Sequence, residues 1–393
     1  CMQDYGREVL KKAIDDLLQP VEYGDLTEEF ALLREGHEAR VEHLGAEVHL
    51  RGIIEFSNYC RQDCLYCGLR RSNGRVNRYR MLPDEIIQTA ERGMAVHKFG
   101  TFVLQSGEDP DYPPDDIARV VTAIKDMGAA VTLSVGQWSY DEYKLWKEAG
   151  CDRFLLKFET SDPVLFRQLK PTTTLQERLS CLYVLKELGY QVGTGIIMGL
   201  PGQTRRSIMR DIDLIGKIDP EMVSIGPYIP HPDTPLGIRY GVEQKPNPTR
   251  LIRAVLDAVA VSRVTVPYAH IPATTALGVL GKEDRGWVEF AHKYISSLQS
   301  ESVRASCFSE EAAGLEKWND PRGLALVCGA NVVMPDITPK EFGDSYDIYP
   351  GKASSDGTEL SAILDEVKSL VGAVGMTVSS SRGDSPKPEF RQS

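Results

Sequence analysis

Three of the eight cysteines in this 393-residue chain lie within eight positions, at Cys60, Cys64 and Cys67. Three thiolates this close together can bind three irons of a cubane 4Fe–4S cluster and leave the fourth iron open to a substrate or cosubstrate. Structural zinc is the main alternative, but it requires four ligands, and no histidine stands at zinc-ligand spacing from these cysteines. A disulfide would leave one thiol unpaired. The spacing therefore favours an iron–sulfur cluster.

Composition excludes several partner classes. Lysine and arginine number 45 and aspartate and glutamate 56, so the net charge is −11. A chain this acidic is a poor candidate for binding nucleic acid, because phosphate contacts need a positive surface. The longest apolar runs are too short to cross a bilayer, and the N-terminus does not have the pattern of a signal peptide. The other cysteines are scattered, which indicates a reducing compartment such as a bacterial cytoplasm or a chloroplast stroma.

The elements that position the cysteines alternate along the chain. Short apolar, β-branched segments are separated by amphipathic ones, mostly at intervals near 30 residues, as in strand–helix units. Eight such units predict an α/β fold, a complete (β/α)8 TIM-type barrel with its active site at the carboxyl ends of the strands. A doubly wound open sheet is the alternative. The strand candidates are 48–56, 101–105, 130–135, 153–158, 192–198, 222–228, 269–274 and 330–334.

The barrel is predicted to span residues 47–352, after an N-terminal helical extension at 1–46 that begins with an amphipathic helix at 5–18. Residues 281–321 interrupt it as an insertion, which we expect to be a solvated excursion. A C-terminal helix is expected at 353–378. A disordered tail should follow at 379–393, because SSSRGDSPKPEFRQS has almost no apolar content.

Polar residues follow other strand candidates at the same end as the cysteines. A carboxylate there could bind an ammonium or ribose hydroxyls, an arginine could bind a carboxylate, and glycines would let a flat group approach the backbone. Each also has an ordinary interpretation, such as a polar turn, a charge at a helix start or a surface arginine. The candidates are Ser106, Gly107, Glu108, Asp109, Glu159, Arg178 and Met198.

The Cys-x3-Cys-x2-Cys spacing, with Tyr66 directly before the last cysteine, resembles the radical S-adenosylmethionine superfamily. The resemblance implies one 4Fe–4S cluster whose open iron chelates S-adenosylmethionine, and reductive cleavage to a 5′-deoxyadenosyl radical. It also implies that Tyr66 and the residues named above hold this cosubstrate. The segment 107–109 would bind the methionine amino group, Glu159 the ribose, and Arg178 the carboxylate.

Longer stretches narrow the resemblance to the HydE family, the radical S-adenosylmethionine maturases of FeFe-hydrogenase. They include CRQDCLYCGLRR at 60–71, LQSGEDP at 104–110, GPYIPHPDTPL at 226–236 and IPATTA at 271–276. The resemblance covers roughly residues 5–352. It implies a substrate in H-cluster assembly, a cysteine-bound iron carbonyl cyanide complex whose sulfur the radical attacks. It also implies other hydrogenase maturases as partners.

The resemblance further implies an anion-binding cavity inside the barrel. Basic and hydroxyl groups directed inward suit an anionic complex, and they cost stability unless they are satisfied. An ion pair in the barrel wall is the alternative for Arg51 and Arg153. Where the family has Arg-His-Glu, this chain has Lys157-Phe158-Glu159, and lysine lacks the planar fork of arginine. The cavity residues would be Arg51, Gln105, Thr132, Arg153, Lys157, Thr274 and Thr275.

Six arginines between positions 61 and 80 stand out in an acidic chain. We interpret them as a docking site for an acidic one-electron donor, flavodoxin or ferredoxin, with a solvated loop as the alternative. No cysteine follows Cys328, so a second cluster is not expected near the C-terminus.

Two other functions remain open from the sequence. One is another biotin-synthase-like radical enzyme acting on a small substrate, of the methylornithine synthase type. The other is a non-catalytic iron–sulfur or zinc scaffold. The scaffold gives Glu108, Glu159 and Arg178 no shared purpose.

Overall fold

The computed structural model describes residues 7–9, 11, 15, 26–240, 246–300, 320–352 and 357–390. Most of the helix expected at 5–18, part of the expected insertion, and the last three residues of the expected tail lie outside these ranges. In the described ranges, every helix is too short or too polar to span a bilayer.

A six-stranded parallel sheet forms the centre of the fold, in the order β2-β3-β4-β5-β6-β7. This order follows the chain, without the reversal of a doubly wound sheet. The α/β fold with a parallel sheet is therefore confirmed. The strands are β1 Glu47–Leu50, β2 Gly52–Ser57, β3 Thr101–Ser106, β4 Ala130–Ser134, β5 Arg153–Leu155, β6 Gln191–Met198, β7 Met222–Pro227, β8 Val332–Val333 and β9 Thr377–Val378.

Helices follow the strands and cover the sheet with their apolar faces. Thr174 and Thr204 each cap the start of a helix through a side-chain oxygen, which fixes where those helices begin after β5 and β6. The helices are α1 Thr27–Leu44, α2 Pro83–His97, α3 Pro114–Asp126, α4 Tyr140–Glu148, α5 Pro163–Leu169, α6 Leu175–Glu187, α7 Arg205–Ile218, α8 Pro235–Tyr240, α9 Pro248–Thr265, α10 Thr275–Glu283, α11 Gly286–Ser300, α12 Arg322–Val327, α13 Lys340–Gly343 and α14 Gly357–Ala373.

Four predicted strands differ from those observed, and the fourth in the chain, 153–158, ends early at Leu155. The first, 48–56, divides at Arg51 into β1 and β2, because β1 pairs with β8 and β9 in a separate three-stranded parallel sheet. The seventh, 269–274, makes only isolated parallel bridges, Met222 to His270 and Pro272 to Val332. Proline has no N–H to donate, which limits a continuous ladder at this point. The eighth shortens to β8, and a further bridge joins Asp336 to Ile53 of β2.

The expected insertion at 281–321 is not a solvated excursion where the structure describes it. Trp287, Phe290 and Tyr294 of α11 are buried. The Phe30 ring of α1 lies 5.5 Å from Phe290 and 5.4 Å from Tyr294, between ring centroids. These aromatic contacts join the N-terminal helix to the insertion, so both belong to the packed body of the protein.

The expectation of disorder at 379–393 is wrong for residues 379–390, which we call the tail segment. Ser385 and Lys387 are buried, and residues 388–390 form a 3-10 turn. Low apolar content predicted disorder because an apolar core usually provides the stabilisation. Here the stabilisation comes from polar partners: Lys387 Nζ, for example, donates to Glu221 Oε1 at 2.9 Å, just before β7.

Candidate functional site

The three cysteines lie on a loop after β2, residues 60–68, which we call the cluster loop. Backbone hydrogen bonds join it to distant segments: Leu65 N donates to Leu169 O at 2.8 Å, and Gly68 N donates to Ile348 O at 3.1 Å. A Cβ on Gly68 would lie 1.9 Å from Asp347 O, so the close packing there requires glycine. The loop is therefore held in place by residues from two other parts of the chain.

All three cysteines of the loop are free thiols, with Cys64 buried and the other two half-buried. Burial raises the pKa of Cys60 to about 11, and the pKa of Cys67 is also raised, with Cys64 contributing in the same direction. The Cys60 and Cys67 thiols therefore stay protonated until a bound metal displaces their protons. Among the described residues no three His, Cys, Asp or Glu side chains converge on a single ion position. A cubane cluster makes a different demand, because each thiolate binds its own iron.

The segment after β3 is joined directly to the cluster loop. Glu108 N donates to Cys60 Sγ at 3.3 Å, and Arg61 N donates to Glu108 O at 2.8 Å. A Cβ on Gly107 would lie 2.1 Å from Tyr59 O, so only glycine allows this approach. The geometry brings the predicted residues Gly107 and Glu108 beside the first cysteine.

The Glu108 carboxylate is buried and lies close to the predicted Arg178. Gln62 Nε2 donates to Glu108 Oε2 at 2.6 Å, and an Arg178 guanidinium nitrogen lies 3.5 Å from Glu108 Oε1. Gly136 provides the space, since a Cβ there would lie 1.9 Å from Glu108 Cγ. A buried carboxylate beside a buried guanidinium is able to bind both charged ends of an amino acid.

Glu159 has a strained backbone, with φ at 65° in the left-handed region. Glu159 N donates to Gly195 O at 3.0 Å, and Ile197 N donates to Glu159 O at 3.1 Å, so β6 holds this conformation. Lys157 Nζ lies 3.5 Å from Glu159 Oε2. That oxygen and Arg178 Nε are buried without a hydrogen bond in the described part of the chain. Buried polar atoms are normally bonded, so these two atoms fit a polar ligand.

The other predicted cosubstrate residues have different surroundings. Tyr66 is partly buried, and its hydroxyl lies 3.5 Å from Lys170 Nζ. Ser106 Oγ donates to Gly107 O at 2.6 Å. Met198 is fully buried in the apolar core. Tyr66 thus lies in the cluster loop and Ser106 at the end of β3, whereas the Met198 side chain packs among core residues.

Asp109 is fully engaged with the protein. Arg80 Nε donates to Asp109 Oδ2 at 2.6 Å, and Ser57 Oγ donates to the same oxygen at 2.6 Å. The pKa of this carboxyl is lowered: burial alone would raise it, but the hydrogen bonds from Arg80 and Ser57 outweigh that effect. The Asp109 carboxylate therefore fastens the β3 end to β2 and Arg80.

The seven predicted substrate residues divide between two places. Gln105, Lys157, Thr274 and Thr275 lie towards the carboxyl ends of the strands. Gln105 Nε2 donates to Glu55 Oε1 at 3.2 Å, and Thr274 Oγ1 is buried without a hydrogen bond in the described ranges. Thr275 begins α10 directly after Thr274.

Arg51, Thr132 and Arg153 lie elsewhere, in a small pocket at the amino ends of the strands. Arg153 donates to Asp384 Oδ1 at 2.6 Å and to Arg382 O at 3.0 Å. Arg51 donates to Gly383 O at 3.2 Å. Both guanidinium groups are therefore bound by the tail segment. The ion pair between Arg153 and Asp384 matches the alternative interpretation of Arg153 given from the sequence.

Five of the six arginines between positions 61 and 80 bond through their side chains to other residues of the protein. Arg78 donates to Leu69 O at 2.9 Å and to Arg70 O at 2.7 Å. Arg70 pairs with Asp63 at 2.9 Å. Three of the remaining four form ion pairs: Arg61 with Glu108, Arg75 with Asp233, and Arg80 with Asp109. The fourth, Arg71, is exposed. The expected docking surface is thus smaller than the arginine count suggests.

Sequence reasoning missed two residues near the cysteines. Gln62 bonds to Glu108, and Lys170 lies 3.1 Å from Cys64 Sγ. Gln62 stood inside the motif but has no recognised role in its spacing. Lys170 follows α5, and its sequence neighbours give no signal of a position beside Cys64.

Comparisons with known proteins show the family of the chain. The model of the radical SAM superfamily matches residues 54–215. The FeFe-hydrogenase maturase subunit HydE of Thermotoga maritima is 43% identical over 352 residues, which cover 89% of this chain and 85% of the relative. The 3-methylornithine synthase of Methanosarcina acetivorans is 29% identical over 243 residues, covering 61% of this chain and 66% of the relative. The crystal structure of a methylornithine synthase shares the fold, with a TM-score of 0.68 at 23% identity, covering 95% of this chain and 97% of that one.

The superfamily match begins at Ile54, just before the cluster loop, and ends within α7. It therefore contains the three cysteines, Glu108, Glu159 and Arg178. Radical S-adenosylmethionine enzymes depend on a 4Fe–4S cluster and on S-adenosylmethionine, and the site fits both. The chain is such an enzyme, and it belongs to the HydE family of FeFe-hydrogenase maturases.

Proposed function

We propose that this protein acts in H-cluster assembly on a small anionic substrate, a cysteine-bound iron carbonyl cyanide complex made by another hydrogenase maturase. The observation that carries the proposal is the 43% identity to a HydE subunit over 89% of the chain. The relative's name links it to hydrogenase maturation. The substrate itself is our inference from the family resemblance and from the polar interior of the sheet.

We also propose that the sheet closes into a complete (β/α)8 barrel. Three backbone bridges support closure, from Met222 to His270, from Pro272 to Val332 and from Asp336 to Ile53. Together they connect β7 back to β2 through two short segments. A closed barrel keeps water away from its interior, which suits the generation of a reactive radical.

The residues around the cluster loop would hold the two cofactors. Cys60, Cys64 and Cys67 would bind the cluster, whose chemistry with S-adenosylmethionine is one-electron reductive cleavage to a 5′-deoxyadenosyl radical. Glu108 would bind the methionine ammonium, and Arg178, 3.5 Å from Glu108, the methionine carboxylate. Tyr66, Ser106 and Gly107 border this position.

The strained Glu159 would bind the ribose hydroxyls, and Lys157 would connect this region to the substrate. Lys157 Nζ already lies 3.5 Å from Glu159 Oε2, so one cation borders both ligands. Gln105 and Thr274 would provide uncharged donors from opposite sides of the interior. Arg51 and Arg153 are bound to the tail segment, so we propose a supporting role for them and not direct substrate contact.

Hydrogen-bond donors, and not the net charge of the surrounding groups, support an anionic substrate at the carboxyl end. Thr274 Oγ1 is buried without a partner in the described part of the chain. Lys352 Nζ lies 2.8 Å from Asp336 Oδ2 and also pairs with Glu55. The Glu55 carboxylate is in turn bonded to Gln105 at 3.2 Å. This network fixes the Gln105 amide, while Lys157 and Thr274 offer donors to a ligand.

An anaerobic turnover assay tests the proposal. Reconstituted protein is mixed with S-adenosylmethionine, a reductant and one of three candidates: the cysteine-bound iron carbonyl cyanide complex, free cysteine, or lysine. We expect 5′-deoxyadenosine formation to rise severalfold with the complex only, with conversion of the complex in step. Equal formation with and without the complex would refute the substrate assignment. Lysine-dependent formation of methylornithine would instead indicate a reaction of the methylornithine synthase type.

The same preparation separates the substrate from the cofactors. The electron paramagnetic resonance spectrum of the reduced protein should show a cubane signal that shifts when S-adenosylmethionine is added. If the signal shifts but the protein leaves the complex unchanged, the assignment as a radical enzyme stands and only the substrate assignment is wrong. This control is needed because a poorly reconstituted enzyme would also fail the turnover assay.

A further inference from the structure

Lys170 is a buried lysine beside a cluster ligand. Only 4% of its surface is exposed. Its Nζ lies 3.1 Å from Cys64 Sγ and 3.5 Å from the Tyr66 hydroxyl. Among the described residues, no carboxylate lies within ion-pair distance of this ammonium. Its nearest group able to carry negative charge is the Cys64 sulfur.

A buried ammonium is costly unless an opposite charge offsets the loss of hydration. Other buried lysines in this chain follow that rule: Lys352 pairs with Asp336 at 2.8 Å, and Lys387 pairs with Glu221 at 2.9 Å. Lys170 lacks a negatively charged partner of this kind only while Cys64 is a neutral thiol. A metal-bound cysteine is a thiolate, so cluster binding supplies the missing negative charge.

The position of Lys170 is built into the backbone. Leu65 N of the cluster loop donates to Leu169 O at 2.8 Å, and Asp63 N donates to Thr172 Oγ1 at 3.3 Å. Thr172 also donates to the Gln62 side chain. Residues 169–172 thus fasten the cluster loop on both sides of Cys64. These contacts hold the Lys170 backbone beside the cluster loop, so that the side chain reaches the Cys64 sulfur in its observed conformation.

We propose that Lys170 is a positioning residue that donates a hydrogen bond to the Cys64 thiolate and raises the reduction potential of the cluster. The physical reason is electrostatic. Reduction adds one negative charge to the cluster, and a fixed cation beside a ligand sulfur stabilises the reduced state more than the oxidised one. Net charge and hydrogen bonds to the sulfurs are among the factors that set such potentials. The proposal requires only the cluster, so it does not depend on the substrate proposed above.

The test is a redox titration of the reconstituted protein without S-adenosylmethionine, followed by the cubane signal in electron paramagnetic resonance. The variants are Lys170→Met, which keeps the length and removes the charge, and Lys170→Arg, which keeps the charge. Lys147→Met is the matched control, because Lys147 is a partly buried lysine that bonds to Gly189 O, away from the cysteines. Iron and sulfide contents are measured for every sample.

In Lys170→Met we expect the ratio of reduced to oxidised cluster, at the potential where the wild type is half reduced, to fall at least about tenfold. That fall corresponds to a shift of about 59 mV for a one-electron couple. Lys170→Arg should stay near the wild-type ratio, and Lys147→Met should not differ from it. A fully loaded Lys170→Met protein with the wild-type potential would overturn the proposal.

Loss of the cluster in Lys170→Met also gives a decisive result through the arginine variant. If Lys170→Arg binds a cluster with the wild-type potential while Lys170→Met binds none, the cation is required beside the thiolate, and the proposal is upheld. If neither variant binds a cluster, although both melt near the wild-type temperature, the lysine is needed for its shape and the proposal is wrong. A failed substrate assay affects none of these outcomes.

Discussion

Two buried arginines, one at each end of the parallel sheet, are bonded in different ways. At the amino end, each of the three nitrogens of the Arg153 guanidinium donates a hydrogen bond, to Gln191, to Thr101 and to the tail segment. At the carboxyl end, Arg178 Nε and Glu159 Oε2 are buried without a hydrogen bond in the described ranges. A satisfied buried charge stabilises the fold, whereas an unsatisfied one costs stability and indicates a ligand.

Positive φ angles of non-glycine residues occur at both ends of the sheet, in Lys98 and Asp219 at the helix ends before β3 and β7, and in Glu159 after β5. Glu159, at the carboxyl end, has a positive φ of 65° and is held there by β6. The glycines at that end, Gly107 and Gly136, leave space that a methyl group would fill. Strain and close approach of this kind accumulate at functional sites, where the surrounding structure compensates for them. The amino end also keeps two buried atoms without a hydrogen bond in the described ranges, Arg51 Nε and Thr132 Oγ1, so the contrast between the ends lies in the bonding of Arg153 and Arg178.

The largest expected effect comes from a substitution that disrupts the site at the carboxyl end and leaves the amino end intact. Cys64→Ala should abolish cluster assembly, because a cubane held by two cysteines lacks a required ligand. Iron content and S-adenosylmethionine cleavage should both fall to background after anaerobic reconstitution. The thermal midpoint of the apoprotein should change little, since no metal is needed to hold the tail segment at the other end.

Cys181→Ala provides the control for this experiment, because Cys181 is a half-buried cysteine on α6, outside the cluster loop. It should retain the wild-type iron content. A Cys64→Ala protein that still cleaves S-adenosylmethionine at the full rate would refute the ligand assignment.

The carboxyl end could be predicted from the sequence because its signals are local. The cysteines lie within eight positions, and Glu108 and Glu159 each lie within three residues of the end of a strand candidate. In a parallel sheet the residues that follow the strands meet at one edge, so reading the strands also placed the site. Family resemblance added Arg178, which single-sequence reasoning treats as a surface arginine.

The amino end could not be predicted, because its partners are distant in sequence. Asp384 pairs with Arg153 across 231 positions. Lys170 at the carboxyl end was missed for the same reason, because it meets Cys64 across 106 positions. The tail segment has no apolar periodicity, and its order comes from hydrogen bonds to the starts of several strands. Arg153 and Arg178 look alike in the sequence. Only their partners show that one is structural and the other is available to a ligand.

Exchanging the two arginines for methionine sharpens the comparison. Arg178→Met should lower S-adenosylmethionine cleavage about 100-fold at low cosubstrate, because a charge-assisted contact to the methionine carboxylate is lost. Its thermal midpoint should fall less than that of Arg153→Met, because the Glu108 carboxylate keeps its contacts with Gln62 and Arg61. Arg153→Met should leave the cleavage rate near that of the wild type. It removes the closest cation from the partly buried Asp384, which keeps Arg382 at 3.6 Å, and it should lower the free energy of unfolding by about 2 kcal/mol.

Both variants are measured for cleavage rate and for thermal midpoint in the same buffer, each after cluster reconstitution. Arg178→Lys is the conservative partner and should recover part of the lost rate, since it restores the charge without the fork. A large loss of cleavage in a stable Arg153→Met protein would instead place Arg153 in the active site.

The smallest expected effect concerns the pH dependence of the tail segment. The pKa of Asp384 is lowered from its ordinary value of 3.8: burial alone would raise it, but Arg153 and the Gln191 hydrogen bond outweigh burial. A carboxyl with a lowered folded-state pKa stabilises the fold above its unfolded value, and this contribution is lost as the pH falls through the folded value. Asp384→Asn should therefore cost about 1 kcal/mol near pH 7, because the carboxylate is partly solvated.

The difference in unfolding free energy between wild type and Asp384→Asn should stay level from pH 7 to about pH 5 and shrink below about pH 4. Urea unfolding at a series of pH values measures it. In an Arg153→Met background the same substitution should cost less at any pH, because the closest cation is absent and Arg382, 3.6 Å from Asp384, remains. If the difference persisted at pH 3, or was undiminished by the loss of Arg153, the tail would be held by its backbone contacts alone. The amino end would then owe its order to the Arg51–Gly383 and Thr101–Arg382 carbonyl bonds and not to the ion pair.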